Sequence, residues 1–360
     1  MDVNNITIIE EHLEYISFSC LDLKTKINIG AHCEVWKFED KSTHEPYAVK
    51  IIIQEGPELS VTTKKEIENL KLIQKSFDRP LCFLNFFGWI LIEERNPDFE
   101  FKEIKCCLIF EIATGTLADL IKKMRNLKQF LPFDDFYRYT RTLIEGMAFL
   151  QSKGITHRDI KPDNILIKQE ENKSYTIKIA DFSESRLDIP NSTLQNMTIK
   201  GTPSYLSPEL FYSWASRNEL EHNPYRSDVY SLGLTLLELA TLEKVLDGNL
   251  RKNKESDKNP KTEDHGPFDC QINQSLKNFV KIYENDKNVK NLEPIIKNML
   301  SYQERHRFDF QTLEMLLAED KKKNSFLSFH KSVVSSHSII YEQVMIPSMA
   351  ESEISSESKE

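Results

Sequence analysis

The 360-residue chain predicts an α+β protein, strand-rich at its start and mainly helical afterwards. Three observations carry this reading. Short apolar runs alternate with polar ones from Tyr15 to Lys50, the pattern of antiparallel strands. A single early stretch, Thr62 to Lys75, places Ile67, Leu70 and Ile73 at helical spacing. Later in the chain the long apolar stretches are amphipathic helices, Asp134 to Gln151 first and residues 274–317 last. The length suits one large two-lobed domain or two small ones. With 39% hydrophobic and 29% charged residues, the composition is that of a soluble chain with a core.

Taken in order, residues 1–14 carry no usable signal, and 1–23 read as an N-terminal extension. After the early helix, Leu81 to Ile92 is strongly apolar and aromatic and reads as a strand pair; the charged residues 93–103 read as a loop. Cys106 to Glu111 is a buried strand, on which Cys106 and Cys107 face opposite ways. In the helix that starts at Asp134, Phe136, Tyr139, Leu143, Met147 and Leu150 form one stripe, which is core rather than a cofactor box. Ile165-Leu166-Ile167 and Ile177-Lys178-Ile179-Ala180 bracket the polar turn 169–174 as two short strands. Ser227 to Gly233 opens a long apolar helix through Ala240. From about 243 to 273 the composition turns to Lys, Asn, Asp, Glu and Pro, a solvated insertion. Residues 318–360 are a polar, Ser-rich tail with one apolar patch from Ile339 to Ile346.

The net charge of −9 argues against nonspecific nucleic-acid binding and favours basic partners. The sequence holds no run of about 18 apolar residues, so no membrane span is expected. Its first residues lack the basic-then-apolar order of a signal peptide. Six cysteines, at 20, 33, 82, 106, 107 and 270, form no CxxC pair; they read as reduced thiols of a cytoplasmic or nuclear protein.

The chemistry concentrates in His157-Arg158-Asp159-Ile160-Lys161-Pro162-Asp163-Asn164 and in Asp181-Phe182-Ser183 behind it. Asp159 is an acceptor for a hydroxyl proton, and Lys161 a cation for a transferring phosphoryl group. Asn164 is a neutral oxygen ligand, and Asp181 a charged one at a strand end. Phosphoryl transfer asks for an oriented nucleophile, a neutralised phosphate and a divalent cation on hard oxygens. Downstream, Gly201-Thr202-Pro203-Ser204-Tyr205-Leu206-Ser207-Pro208-Glu209 is a specific companion motif. The buried charge expected at Glu209 is tolerated only if paired.

These motifs, in this order, resemble the signature set of the eukaryotic protein kinases, over roughly 24–317. The resemblance implies a two-lobed, protein-kinase-like fold. Its N-lobe, 24–110, is a small antiparallel sheet with one key helix, and its C-lobe, 114–317, is larger and mainly helical. It implies ATP and Mg²⁺ as cofactors and a Ser/Thr-containing protein as substrate. Asp159 is then the base, Lys161 the cation beside it, and Asn164 and Asp181 the metal ligands. Pro46-Tyr47-Ala48-Val49-Lys50 resembles the strand whose lysine reaches the α- and β-phosphates, with Glu66, rather than Glu68, as its partner. Arg307 falls at the position of the cation for Glu209, and Asp228 at that of the carboxylate holding the catalytic-loop backbone. In the phosphate loop, Ile27 to Lys37, only Gly30 of three glycines is kept. Asn28 and Cys33 take the outer positions, with Asn28 expected to supply the left-handed turn. Ile27, Val35, Ala48 and Leu166 join the nucleotide site; Glu111 to Ala113 is the hinge whose backbone bonds adenine, and Phe110 stands behind the base.

Arg158 implies pairing with a phosphorylated residue of the 181–209 segment, placed there by an upstream kinase. Thr198 is the position implied, with Ser192 and Thr193 behind it. Lys161 and Thr202 together imply a Ser/Thr preference, and Thr202 belongs with the regulatory positions. Two departures, the glycine-poor phosphate loop and Ser183 in place of glycine, support a rival: a pseudokinase scaffold that binds partners without catalysis. A small-molecule kinase of similar fold is disfavoured by the Gly201–Glu209 segment, a peptide platform in protein kinases.

Overall fold

The computed structural model describes residues 6–30, 33–56, 58–95, 102–170, 174–187, 195–197, 200–216, 220–246 and 266–324. They form two compact units. One holds the described residues up to Ala113 together with Ala180–Leu187; the other holds the rest.

The first unit is built on a six-stranded sheet. Its strands are β1 (Ile6–Leu13), β2 (Leu21–Ile29), β3 (Cys33–Asp40), β4 (Pro46–Gln54), β5 (Phe86–Arg95) and β6 (Lys102–Glu111), in the order β1-β5-β6-β4-β3-β2. Neighbouring strands are antiparallel throughout. β6 lies inside the sheet, and Cys106, Cys107, Leu108 and Ile109 are all 0% exposed, so both of its faces are core. One face of the sheet closes over Phe18, Phe38, Tyr47, Val49, Ile51, Ile90 and Ile109.

The helix of this unit, α1 (Val61–Lys75), starts where Ser60 caps it: the Ser60 Oγ accepts the Thr63 N–H at 3.1 Å. Gln54, at the end of β4, fixes that cap by accepting the Ser60 N–H at 2.9 Å. Ile67, Leu70 and Ile73 are buried as their spacing predicts.

Four expectations change here. Residues 93–103 are not all loop: β5 runs to Arg95 and β6 starts at Lys102, with Glu94 paired to Glu103. The N-terminal stretch forms β1, paired to β5 from Ile6↔Glu94 to Leu13↔Gly88. Leu81 to Ile92 gives one strand rather than two, because Arg79 turns its guanidinium into the loop before β5. It donates to the carbonyls of Phe83 at 2.9 Å and Leu84 at 2.8 Å, acceptors that a ladder would need, and Leu81 is 89% exposed. Asn28 is not a left-handed turn residue. It lies in β2 opposite Val35, and beyond it the Gly30 N–H donates to the Cys33 carbonyl at 2.8 Å.

Among the described residues the second unit holds seven α-helices: α2 (Leu117–Leu127), α3 (Phe133–Ser152), α4 (Pro208–Ser216), α5 (Pro224–Thr241), α6 (Gly266–Ile282), α7 (Val289–Met299) and α8 (Phe310–Asn324). A capping box starts α2, Thr116 and Asp119 satisfying each other's backbone N–H. The stripe of α3 is buried, from Phe136 to Leu150. Strands β7 (Gly115–Thr116), β8 (Ile165–Gln169) and β9 (Tyr175–Ile179) make a small sheet with β8 in the middle. Gln195–Met197 (β10) pairs antiparallel with Leu220–His222 (β11). Asn223 caps α5 by accepting the N–H groups of Tyr225 and Arg226.

Helix α6 begins at Gly266, inside the stretch expected as an insertion, and α8 runs to Asn324, past the expected start of the tail. Thr198, Ser192, Thr193, residues 247–265 and Ile339–Ile346 lie outside the described residues. Among the described residues no helix is long and apolar enough to cross a membrane.

Candidate active site

In the first unit the site is built on β4. The register pairs Lys50 with Val35 on one side and Leu108 on the other, and Ala48 with Phe110. Residues two apart on a strand share a face, so Val35, Ala48, Lys50 and Phe110 line the same one. Lys50 is buried, and its Nζ donates to Glu66 Oε1 at 2.7 Å and to Asp181 Oδ1 at 2.8 Å. Burial works against the ammonium, but the two carboxylates outweigh it and hold the Lys50 pKa above that of a free lysine. Glu66, the carboxylate on α1 that pairs with Lys50, is 3% exposed, whereas Glu68 faces solvent.

Asp181 sits at φ 61, a left-handed conformation uncommon for a residue with a Cβ. Its Oδ1 also accepts the Ser183 N–H at 3.4 Å, so Ser183 contributes its backbone. Phe182 is buried and packs on Phe83, ring centroids 6.2 Å apart. At the start of β3, Cys33 is partly covered. Burial raises its thiol pKa, against the pull of the Lys50 charge. The side chain of Ile27 is half exposed at the end of β2. At the end of β6 the Glu111 N–H donates to the Asn85 carbonyl at 3.0 Å, and the Glu111 carboxylate accepts the Asn85 N–H at 3.0 Å. Glu111 is thereby clamped to the turn before β5, with Ile112 and Ala113 following it.

In the second unit the site gathers around Asp159, which accepts four hydrogen bonds. Oδ1 takes the Thr202 N–H at 2.9 Å and its hydroxyl at 2.8 Å. Oδ2 takes Lys161 Nζ at 2.7 Å and Asn164 Nδ2 at 2.9 Å. Lys161 also donates to the Thr202 Oγ1 at 2.8 Å, so that hydroxyl accepts from the cation and donates to the carboxylate. Asn164 Nδ2 reaches the Asp159 carbonyl as well, at 2.8 Å. With its amide nitrogen turned to Asp159, the atom that Asn164 leaves for a cation is its carbonyl oxygen, a hard neutral ligand. Leu166 follows on β8, paired with Thr116.

The loop that carries Asp159 is fixed from behind. Asp228, buried on α5, accepts the His157 N–H at 2.8 Å and the Arg158 N–H at 2.9 Å. Burial, opposed by those N–H groups and the nearby His157 and Arg158, moves its pKa up to about 6. Arg158 has φ 70, and Gly201, at φ 107, passes against its carbonyl so closely that a Cβ there would come within 2.6 Å. Farther out, Arg307 (1% exposed) holds Glu209 through two bonds of 2.6 and 2.7 Å. The Arg307 charge keeps the Glu209 pKa below the usual range despite burial.

Sequence reasoning missed two polar pairs. Asn69 on α1 bonds Ser185, and the Tyr205 hydroxyl donates to Glu238 at 2.6 Å. Asn69 stands three residues after Glu66, which signals a shared helix face. Nothing in the sequence signals the partner 116 residues away.

Residues 21–317 match the protein kinase domain. Among curated proteins, the chain is 30% identical over 230 residues to the leucine-rich repeat receptor-like protein kinase PEPR2 of Arabidopsis thaliana, covering 63% of this chain and 19% of that one. It is 27% identical over 225 residues to the serine/threonine-protein kinase nekl-2 of Caenorhabditis elegans, covering 60% and 55%. To myosin light chain kinase A of Dictyostelium discoideum it is 29% identical over 216 residues, covering 59% and 63%. In each case the match takes in less than two thirds of the relative's length. With the domain match spanning most of the chain and the buried Lys50–Glu66 and Arg307–Glu209 pairs in place, this chain belongs to the protein kinase family.

Proposed function

We propose that the chain is an active protein serine/threonine kinase, transferring the γ-phosphoryl group of ATP to a Ser or Thr hydroxyl. The observation that carries this is the Asp159 carboxylate, oriented on both oxygens by Thr202, Lys161 and Asn164. Asp159 orients the substrate hydroxyl and takes its proton late, as that oxygen bonds to the γ-phosphorus and the bond to the ADP oxygen breaks. Lys161 stabilises charge on the moving group. Lys50, steadied by Glu66, aligns the α- and β-phosphates. The backbone of Glu111 and Ala113 bonds the adenine, Phe110 stands behind it, and Ile27, Gly30, Val35, Ala48 and Leu166 enclose the nucleotide, with Asn28 at the rim. Asp181 and Asn164 are the side chains that would hold Mg²⁺, and one anionic with one neutral oxygen donor fits a hard cation that keeps phosphate ligands. When bound, the ion neutralises phosphate charge.

The Lys161–Thr202 bond beside the base supports the Ser/Thr preference. Arg158 would receive a phosphate carried by Thr198, with Thr202 setting the base at the other end of the same segment, so an upstream kinase would raise activity. The acidic chain favours basic protein segments as substrate. Six free thiols fit the cytoplasm or nucleus.

The test is transfer of labelled γ-phosphate from Mg-ATP to a basic protein, beside Asp159→Asn. Loss of roughly 10²–10⁴-fold in the variant is expected, the scale of a general base, with label on Ser and Thr. A folded wild type with no transfer above the variant would leave the second reading, a scaffold without catalysis, which rests on Asn28, Cys33 and Ser183 standing in for glycines.

A further inference from the structure

Helix α1 is tied to the Asp181 segment at two places. Lys50, between Glu66 and Asp181, is the first. The second lies one turn along α1, at Asn69, which is 2% exposed. Its Nδ2 donates to the Ser185 Oγ at 2.9 Å. Ser185 is 6% exposed, and its Oγ donates in turn to the Phe182 carbonyl at 2.5 Å, which the Ser185 N–H also reaches at 3.1 Å. Only one polarity serves this chain. An amide nitrogen can only donate and a carbonyl only accept, so the hydroxyl between them is pinned in direction.

Two buried polar side chains are costly in a core unless each is satisfied. An apolar pair could fill the same space, but it would lose the hydroxyl's bond to the Phe182 carbonyl. That carbonyl belongs to the residue just after Asp181, whose φ of 61 persists only where the surroundings over-determine it. Lys50 holds the Asp181 side chain. The Asn69–Ser185 relay holds the backbone from the other end of the turn.

We propose that Asn69 and Ser185 are positioning residues for Asp181. They form a polar strut, separate from the Lys50–Glu66 pair, that sets the direction in which the Asp181 carboxylate meets a metal-bound nucleotide. This rests on the kinase reading above, in which Asp181 takes Mg²⁺.

The experiment is calorimetric ADP binding to the full chain across a Mg²⁺ titration, for wild type, Asn69→Leu, Ser185→Ala, Ser185→Thr and the double variant Asn69→Leu/Ser185→Ala. Asn69→Leu and Ser185→Ala raise the Mg²⁺ concentration at half effect by roughly three- to tenfold, the scale of one hydrogen bond. They leave ADP affinity without Mg²⁺ unchanged. The double variant shifts no further than either single one, because both changes break one relay. Ser185→Thr keeps the hydroxyl and restores the wild-type midpoint. A merely structural pair would lower the melting temperature and leave the Mg²⁺ midpoint where it was, which overturns the proposal. Should Asn69→Leu not fold, the two Ser185 variants decide the matter. Wild type that binds ADP equally with and without Mg²⁺ overturns the kinase reading and the strut with it, an outcome visible without any variant.

Discussion

At the scale of single residues, Asp159 works through what surrounds it, and Gly201 is the least replaceable neighbour. Its φ of 107 is open to glycine, and a Cβ would approach the Arg158 carbonyl to 2.6 Å. The next residue, Thr202, supplies two of the four bonds to Asp159. Gly201→Ala is therefore expected to cost roughly 1–3 kcal/mol of stability and to lower the rate of phosphoryl transfer while leaving ADP affinity near wild type. Denaturant melts and steady-state kinetics check both; unchanged turnover would show that Thr202 does not set Asp159. The residues with charges to place were legible in the sequence, since Lys50, Glu66, Asp159 and Arg307 belong to motifs of fixed spacing. The Asn69–Ser185 relay was not, because a neutral buried pair has no motif and its partners meet only after folding.

At the scale of elements, β1 shows why an edge strand escapes a sequence reading. Most of its residues face solvent on both sides, Ile8 and Ile9 included, so the period-two alternation that announces a half-buried strand is missing. What marks it lies on its neighbour. Gly88 has φ 123, and a Cβ there would stand 2.0 Å from the His12 carbonyl. His12 then stacks on Trp89 at 4.4 Å. Gly88→Ala is expected to detach β1 without unfolding the other five strands, read as fast amide exchange confined to residues 6–13. Wild-type protection of that segment in the variant would contradict the close approach. The interior strands were legible for the opposite reason: β4 and β6 are short apolar runs in motifs, and α1 announces itself by Ile67, Leu70 and Ile73. The stretch before β5 misled because apolar content was read as a strand, while Arg79 takes the carbonyls of Phe83 and Leu84.

At the scale of the whole molecule, burying charge to hold the kinase fold together leaves a dependence on pH. Glu304 accepts the N–H of Asn223, the cap of α5, at 2.7 Å, while its own carbonyl faces Arg226. Burial, helped by the nearby Glu209 charge and opposed by that N–H, Arg307 and Arg226, raises its pKa to about 7. An unfolded glutamate titrates near 4.5. Between those two values the folded chain binds the proton and the unfolded chain does not, so the stability contributed at this position falls as pH rises from about 4.5 to about 7 and is flat above. Glu304→Gln keeps an oxygen for the Asn223 N–H and removes the titration. Its melting temperature should match that of wild type near pH 4.5 and exceed it at pH 8, the difference opening across the window between. Parallel melting curves for the two proteins over that range would mean that Glu304 stays ionised in the fold, with the Arg226 and Arg307 charges outweighing burial.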